Sequence, residues 1–365
     1  MAYPEKMDWD RNSERSGFLS SMILLGHLAS IATAQPTHTL PATLAAPGAA
    51  IQQIVTGLNG SGGVAADNQG DVTLAETPAS RTWRLPAGGA KQALASAAGL
   101  TVRGLVYDAL GRLLFCQDDK LSYFDAAGAI HDLAAKRSDG GVLGHNNDLV
   151  ALDDGSVYFT NGDGNTIYYW HPGADPVVAA SGLNYPDGIE AREAAGKVYV
   201  TLYSQPYALA SFDIRTDHTL ANKQVLATLG IPDGLVLDSQ GNFYVTSLAE
   251  ACVAVFSPAG AELGRISIPG ENLHNAAFGG PRNDTLYITG EHAAYKMAMK
   301  VSGQRDPFHV ATGLIFPLNQ RGRGRLAGAP EGSNPHPVLG FPVAGFTVPG
   351  TDGRIRSVQG RILAP

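Results

Sequence analysis

One repeated unit governs the sequence from residue 51 onward. Copies recur roughly every 40 to 46 residues, and most begin with a polar residue, a glycine and an apolar residue. The six starts are Gly62-Gly63-Val64, Arg103-Gly104-Leu105, Asn147-Asp148-Leu149, Asp187-Gly188-Ile189, Asp233-Gly234-Leu235 and Asn275-Ala276-Ala277. A second β-prone run, such as Phe243-Tyr244-Val245, follows each start about ten residues later. Turns such as Asp238 to Gly241 join the two runs, because glycine supplies the positive φ that a tight hairpin needs.

These repeats predict an all-β fold. The period matches that of four-stranded propeller blades, so six copies predict a six-bladed β-propeller with four-stranded antiparallel blades. Closure of the ring leaves no long sheet edge exposed. A pair of β-sandwiches is disfavoured, because sandwiches do not repeat one such motif in every unit. We expect the propeller to span residues 51–317.

The two ends of the chain differ from the repeats. Residues 1–34 combine arginines, a short apolar segment and small residues before Gln35, which predicts a secretory signal cleaved near Ala34. A secreted or periplasmic location follows from it, with a cytoplasmic location as the alternative. Residues 35–50 are interpreted as a leader or linker. Residues 318–365 form a Pro/Gly-rich extension, which closes the ring, lies across a face or is partly disordered.

Composition narrows the class of partner. The chain has 365 residues and a formal net charge of -7, and phosphate binding needs clustered Lys and Arg, so nucleic acid is not expected. No apolar run reaches the roughly 18 residues of a membrane span. A small-molecule substrate is the expected partner. Cys116 and Cys252 lie in distant repeats inside strand-like runs, which favours buried free thiols over a disulfide.

The residue before each Gly-apolar pair is predicted to face a shared site. The innermost strands of a propeller run in one direction around the channel, so equivalent positions should meet at one mouth. These positions are Gly62, Arg103, Asn147, Asp187, Asp233 and Asn275. Oxygen-bearing side chains without Cys suit a hard divalent cation, Ca²⁺ or Mg²⁺. The competing interpretation is that Asp and Asn are ordinary turn formers before strands.

Further side chains are predicted around the rim of this mouth. The second strand of each unit returns to it, and two histidines stand just before ring positions. The rim residues are Glu76, Gln117, Asn161, Tyr203, Ser247, Glu291 and His292, and the two histidines are His145 and His274. The histidines would orient substrate or move a proton, or else stand exposed without a role.

These segments resemble the senescence marker protein (regucalcin)/gluconolactonase family. The matching segments are Asn146 to Val150, Asp154 to Thr160, Tyr185 to Ile189, Pro232 to Leu235, Ala277 to Gly280 and Thr285 to Thr289. The resemblance implies a six-bladed propeller with a divalent metal in the channel, and commonly hydrolysis of sugar or other lactones. It implies metal ligands at Asn147 and Asp233, and a substrate contact at Arg103.

One family ligand is missing from this sequence. The first-blade motif that carries a metal-binding Glu in the family reads Ser61-Gly62-Gly63 here. We expect Asp187 to supply the second carboxylate, with Glu76 or Glu291 reaching in from the rim as alternatives. The metal ligands are then Asn147, Asp187 and Asp233. Ca²⁺ is the expected ion, with Mg²⁺, Mn²⁺ or Zn²⁺ as alternatives.

The leading functional hypothesis is a metal-dependent hydrolase that opens a lactone ring at the channel mouth. Asp233 or Asp187 would accept the proton of the attacking water. The predicted substrate-binding residues are Arg103, Asn275, His145, Tyr203 and His274. One alternative is a metal-independent tailoring enzyme, such as a cyclase, an isomerase or a strictosidine-synthase-like catalyst. The other is a non-enzymatic extracytoplasmic binding propeller, since propellers host unrelated functions.

Overall fold

The computed structural model describes residues 34–95, 100–125, 127–305, 307–308, 347–349 and 355–357. The regular secondary structure of these residues is nearly all β-strand, with 3-10 turns at Thr77–Ala79 and Glu193–Ala195. Six antiparallel sheets form the blades. The innermost strand of each blade contacts that of the next, and the innermost strand of the last blade contacts that of the first. The predicted six-bladed propeller is confirmed.

Blades 1 to 4 are each built from four consecutive strands, ordered from the channel outward. Blade 1 contains β3 (Ser61–Ala66), β4 (Val72–Glu76), β5 (Arg81–Leu85) and β6 (Gln92–Ala95). Blade 2 contains β7 (Leu105–Tyr107), β8 (Leu113–Cys116), β9 (Leu121–Phe124) and β10 (Ile130–Ala134). Blade 3 contains β11 (Asn146–Ala151), β12 (Val157–Asn161), β13 (Thr166–Trp170) and β14 (Val177–Ser181). Blade 4 contains β15 (Pro186–Arg192), β16 (Lys197–Leu202), β17 (Ala208–Ile214) and β18 (Leu220–Ala227).

Blades 5 and 6 recruit strands from the start of the propeller. Blade 5 contains β19 (Pro232–Leu237), β20 (Phe243–Ser247), β21 (Cys252–Phe256) and β22 (Glu262–Ser267), and β1 (Thr37–His38) pairs with the outer edge of β22. Blade 6 contains β23 (Leu273–Gly279), β24 (Thr285–Gly290) and β25 (Ala293–Ala298), and β2 (Ile51–Thr56) is its fourth strand. The ring therefore closes by pairing an early strand with a late one.

Residues 37–56 form what we call the N-terminal clasp. Besides β1 and β2, it buries Leu40, Leu44 and Ala45 in the hydrophobic cluster shared by blades 5 and 6. The Lys300 backbone N–H donates to the Leu44 carbonyl, and Lys300 Nζ donates to the Ala42 carbonyl at 2.8 Å. Most of the segment interpreted as a leader or linker, residues 35–50, thus contacts the propeller.

The core consists of hydrophobic clusters between the blades. In the cluster between blades 5 and 6, the rings of Tyr244 and Phe278 meet edge to face, with centroids 5.2 Å apart. Such contacts stabilise aromatic pairs beyond their burial alone. Cys116 and Cys252 are both buried and unpaired with each other, so the prediction of free thiols is confirmed. Burial raises the pKa of both thiols, which makes them poor nucleophiles.

Residues 317–365 form a separate unit. In it, β26 (Thr347–Pro349) pairs antiparallel with β27 (Ile355–Ser357). The rest of the predicted extension and residues 1–33 of the predicted signal lie outside the described residues. In the part of the chain that the structure describes, no helix has the length and apolar character to span a bilayer.

Candidate functional site

A bulge in the innermost strand presents the ring residue in four of the blades. Between Pro186 and Ile189, and again between Pro232 and Leu235, the inner strand carries one more residue than its partner. The same irregularity occurs in blades 1 and 3. Bulges redirect a side chain out of the regular ladder, and they occur often beside active sites. Asp187 and Asp233 lie within these bulges.

Glycine follows two of these ring residues because the inner strands approach closely. A Cβ at Gly188 would lie 2.5 Å from the Asp233 carbonyl oxygen, and one at Gly234 would lie 2.7 Å from the Asn275 Cα. No other residue fits at these two positions. In the repeated polar-Gly-apolar pattern, the polar residue therefore marks the site and the glycine marks the close contact between adjacent blades.

A second repeated feature holds the main chain in place at the ring positions. In four blades a threonine near the end of the second strand donates its hydroxyl hydrogen to the carbonyl of the next ring residue. The pairs are Thr160 to Asp187, Thr201 to Asp233, Thr246 to His274 and Thr289 to Gly62. Each of these threonines also lies within hydrogen-bond distance of a carbonyl in its own blade, one residue past the ring position. For Thr289 this is the Asn275 carbonyl.

This register corrects one sequence assignment. His274, and not Asn275, occupies the ring position of blade 6, because Thr246 bonds its carbonyl as Thr201 bonds that of Asp233. The bulge of blade 6 is shorter: it spans only Leu273 to Asn275. Aligning the blade 6 unit on its polar-small-apolar pattern therefore places its ring residue one position too late in the sequence.

We expect Thr201→Val to lower the free energy of unfolding by about 1–3 kcal/mol, because valine keeps the shape of the buried Thr201 side chain but no longer donates to the Asp233 carbonyl. Chemical denaturation measures this difference. Thr201→Ser should restore most of it. Thr56→Val, at an exposed position of β2, is the matched control and should change little. Equal stability of the two valine variants would show that the hydroxyl contributes nothing.

Asp187 and Asp233 form an acidic pair near the starts of the inner strands β15 and β19. Asp187 is 4% exposed, and Asn147 Nδ2 donates to its Oδ1 at 2.7 Å. Burial, followed by the charges of Asp233 and Asp148, raises the pKa of Asp187 well above its usual range. Two carboxyl groups in contact cannot both ionise cheaply, so the pair favours a shared proton or a bound cation. The predicted residues Asn147, Asp187 and Asp233 therefore do come together.

His274 lies between two carboxylates. Its Nδ1 is 3.1 Å from Asp233 Oδ2, and its Nε2 is 3.1 Å from Glu291 Oε2. Carboxylates only accept, so both ring nitrogens carry hydrogen in this arrangement. Burial lowers the pKa of His274, but the hydrogen bonds to Asp233 and Glu291 outweigh it and raise the pKa to about 9. The hydrogen bond from His274 lowers the pKa of Glu291.

Asp148, one residue past the ring position of blade 3, is buried beside the channel. It lines a channel cavity of about 80 Å³, and Asn275 Nδ2 is 3.4 Å from its Oδ2. Burial raises the pKa of Asp148 to about 7, and the charge of Asp233 adds to the effect. Asn275, predicted as a substrate contact, is thus directed at this carboxyl group.

Arg103 and His145 lie on the blade 2 and 3 side of the mouth. Arg103, predicted as a substrate contact, makes a salt bridge of 3.0 Å with Asp118. His145 Nε2 is 3.3 Å from the Tyr185 hydroxyl. Burial lowers the pKa of His145, and the charge of Arg103 lowers it further, so the ring is neutral near pH 7.

Two tyrosines border the acidic pair. Burial, then the charges of Asp233 and Asp187, raises the pKa of Tyr203 to about 12. Burial and then the charge of Asp187 raise the pKa of Tyr185 in the same way. Both phenols therefore stay protonated and able to donate near neutral pH. Tyr203 was predicted at this rim from its place at the end of β16.

Glu76 does not join the site. Its side chain is 0% exposed and accepts hydrogen bonds from Arg81, Trp83 and the Asn59 backbone N–H. Its carboxylate is therefore satisfied within blade 1. The rim carboxylate that does reach the ring is Glu291, through His274.

The chemistry of the donors suits a hard cation. Two carboxyl groups and the Asn147 amide meet at the mouth, and all offer oxygen, the ligand that Ca²⁺ and Mg²⁺ prefer. Zinc is disfavoured, since both nitrogens of His274 are engaged with carboxylates. Among the described residues no three His, Cys, Asp or Glu side chains surround one point as metal ligands. The fit is therefore to a three-oxygen site that leaves the remaining ligands to water or substrate.

Comparison with known proteins identifies the family. The profile described as the SMP-30/gluconolactonase/LRE-like region matches residues 59–292. The chain belongs to this family. The resemblance found from the sequence motifs is therefore confirmed.

Curated relatives of this SMP-30/gluconolactonase family chain include two lactonases. A pentonolactonase of Haloferax volcanii is 26% identical over 151 residues, which are 39% of this chain and 52% of the relative. A gluconolactonase of Zymomonas mobilis is 29% identical over 186 residues, which are 43% of this chain and 51% of the relative. This chain thus spans about half the length of the curated relatives that it matches.

Solved structures of the family share the fold. A gluconolactonase of Xanthomonas campestris superposes with a TM-score of 0.66 at 24% identity, covering 73% of this chain and 95% of that one. A calcium-binding regucalcin of Agrobacterium tumefaciens superposes with a TM-score of 0.62 at 19% identity, covering 71% of this chain and 97% of that one. Both likenesses support the propeller assignment.

Two residues of the site were missed by sequence reasoning. Asp148 stands one position past the ring, where four of the other units carry glycine, and that departure was its only signal. Tyr185 stands just before Pro186-Asp187-Gly188, at the same place as Ile231 before the next such motif. Both have positive φ, 52° for Tyr185 and 38° for Ile231. Such backbone conformations are uncommon outside glycine and occur often at functional sites.

Proposed function

We propose that the protein hydrolyses a lactone, a cyclic ester, at the mouth of the propeller channel. The observation that carries the proposal is the contact between Asp187 and Asp233, with Asn147 beside them and His274 behind Asp233. The named activities of the two curated relatives support the same reaction class.

In this proposal Asp233 is the general base. The hydrogen bond from His274 Nδ1 holds its carboxylate in one orientation. Asp233 accepts a proton as water attacks the ester carbonyl carbon, and it returns that proton to the ring oxygen when the acyl–oxygen bond breaks. Water and lactone thereby give one hydroxy acid.

The neighbouring residues orient the substrate. The Arg103 guanidinium, held by Asp118, presents donors to a substrate hydroxyl or carboxylate. Tyr203 and His145 border the space in which the non-reacting part of the substrate would lie. Half-buried walls of this kind restrict the entry of bulk water and strengthen the local electrostatic interactions.

A divalent cation is the proposed cofactor. Asn147, Asp187 and Asp233 would hold it, and when bound it supplies Lewis acidity toward the ester carbonyl oxygen. Its charge also offsets that of the paired carboxylates, which otherwise oppose each other at close range. Ca²⁺ is favoured, because the site offers oxygen ligands and leaves several positions open.

Metal removal tests this proposal. We expect purified full-length protein to contain a divalent metal by elemental analysis and to acidify solutions of aliphatic, sugar or aromatic lactones faster than buffer alone. Chelation followed by dialysis should lower the rate by about 100-fold or more, and one of Ca²⁺, Mg²⁺, Mn²⁺ or Zn²⁺ should restore it.

Two results would contradict it. Turnover that survives complete metal removal would favour the metal-independent alternative, in which His274 replaces the metal as the positive charge beside Asp233. Absence of turnover across the lactone panel, with metal present, would favour a binding propeller.

A further inference from the structure

Three aromatic side chains stand together on one side of the mouth. The rings of Tyr185 and Tyr203 have centroids 5.3 Å apart and are tilted by 42°. The His145 ring lies 6.2 Å from Tyr185, whose hydroxyl is 3.3 Å from His145 Nε2. All three side chains are partly exposed. We call these residues the aromatic wall.

The wall borders the reacting groups. Tyr185 precedes Asp187 by two residues on the same inner strand edge. Tyr203 follows the second strand of that blade, and its backbone N–H donates to the Tyr185 carbonyl at 2.9 Å. A substrate positioned at the acidic pair therefore has its remaining atoms within reach of these rings.

The backbone and its neighbours hold the Tyr185 ring in place. Its φ of 52° is unusual for a large side chain, and its N–H donates to Asn165 Oδ1 at 3.0 Å. The ring lies over Gly162, where a Cβ would come within 2.5 Å of it. The absent side chain at Gly162 therefore provides the space for the ring. A preset aromatic surface binds a flat partner with little loss of conformational entropy.

We propose that Tyr185 determines substrate specificity by packing against a flat face of the substrate that extends beyond the ester group. The inference rests on the proposed lactonase activity. This face would be the C–H face of a substituted sugar lactone ring or the face of a fused aromatic ring, since both pack flat against tyrosine. We call lactones with either kind of face ring-bearing lactones. Small unsubstituted lactones lack atoms that reach the wall.

Steady-state kinetics with two variants test this role. We expect Tyr185→Leu to raise the KM for ring-bearing lactones by about 5–10-fold, with kcat little changed. The KM for γ-butyrolactone should stay near the native value. Tyr185→Phe should keep the native KM if ring packing, and not the hydroxyl bond to His145, is what matters. Comparing a sugar lactone with dihydrocoumarin shows which ring type the wall prefers.

A matched control separates specificity from folding. Tyr123 on β9 also stacks on a histidine, His131, with centroids 5.0 Å apart. Tyr123→Leu should leave every KM unchanged. An equal KM increase for γ-butyrolactone and ring-bearing lactones, or no increase in Tyr185→Leu, would overturn the inference.

Binding of a non-hydrolysable analogue makes the test independent of turnover. We expect calorimetry with the lactam of the preferred ring-bearing substrate, or of gluconolactone if no lactone is turned over, to show affinity about 5–10-fold weaker for Tyr185→Leu than for the native protein. Unchanged affinity would overturn the assignment of Tyr185 even if lactones are hydrolysed. Weakened affinity without any turnover would retain the wall as a binding surface and reject the proposed lactonase.

Discussion

Asp233→Asn is expected to lower kcat/KM toward the preferred lactone by about 10²–10⁴-fold, because the variant has no group to take the proton of the attacking water. Asparagine keeps the size of the side chain and an oxygen that can accept from His274 Nδ1, so the fold should survive. The affinity of Asp233→Asn for divalent cations, measured by calorimetry on the metal-free protein, should fall together with kcat/KM. Initial rates and thermal unfolding of the same preparation complete the measurement.

The control is a carboxylate that lies far from the channel. Asp132 is on the outermost strand of blade 2, where it bonds Lys120 and Ser122. Asp132→Asn should keep native activity and native cation affinity. If Asp233→Asn does the same, the acidic pair is not the catalytic site. If it loses activity but binds cation normally, Asp233 is the base and the metal ligands lie elsewhere.

Leu44→Ala is expected to lower the free energy of unfolding by about 2–5 kcal/mol, the usual cost of truncating a leucine in a well-packed core. Leu44 is 2% exposed and belongs to the cluster that joins blades 5 and 6. Denaturant titration gives the value. Leu110→Ala, at a leucine that is 63% exposed, is the matched control and should change stability little.

Comparing Leu44→Ala with Leu110→Ala shows whether the N-terminal clasp stabilises the propeller. Equal stability would mean that the clasp lies on the propeller without supporting it. A large loss confined to Leu44→Ala would show that the propeller needs residues before β2. Cleavage near Ala34, as the signal prediction proposes, would leave the clasp on the mature chain.

The fold was predictable because its determinants are local and repeated. Glycine is needed where inner strands come close, as at Gly188 and Gly234, so the polar-Gly-apolar pattern recurs in the sequences of several blades. The clasp was not predictable. Thr37–His38 is too short to show a strand pattern, and its partner β22 lies more than 200 residues away in the chain.

The site was predicted in part, for a physical reason. Asn147, Asp187 and Asp233 share one register, and that register brings them together. Asn275 was placed in the ring because the shorter bulge of blade 6 leaves no trace in the residue pattern. The contacts of His274 with Asp233 and Glu291 depend on side-chain directions across two blades, which spacing along one chain does not reveal.

The hydrogen bonds from these threonines affect how such a site can evolve. Each of them ends on the main-chain carbonyl of a ring residue and not on its side chain, as the Thr289 bond does at Gly62 and the Thr246 bond does at His274. The framework therefore tolerates glycine, imidazole or carboxylate in the same place. A lineage can replace one chemical group at the mouth at a time, while the stability of the domain is carried by other residues. The site can diverge without the fold having to diverge with it.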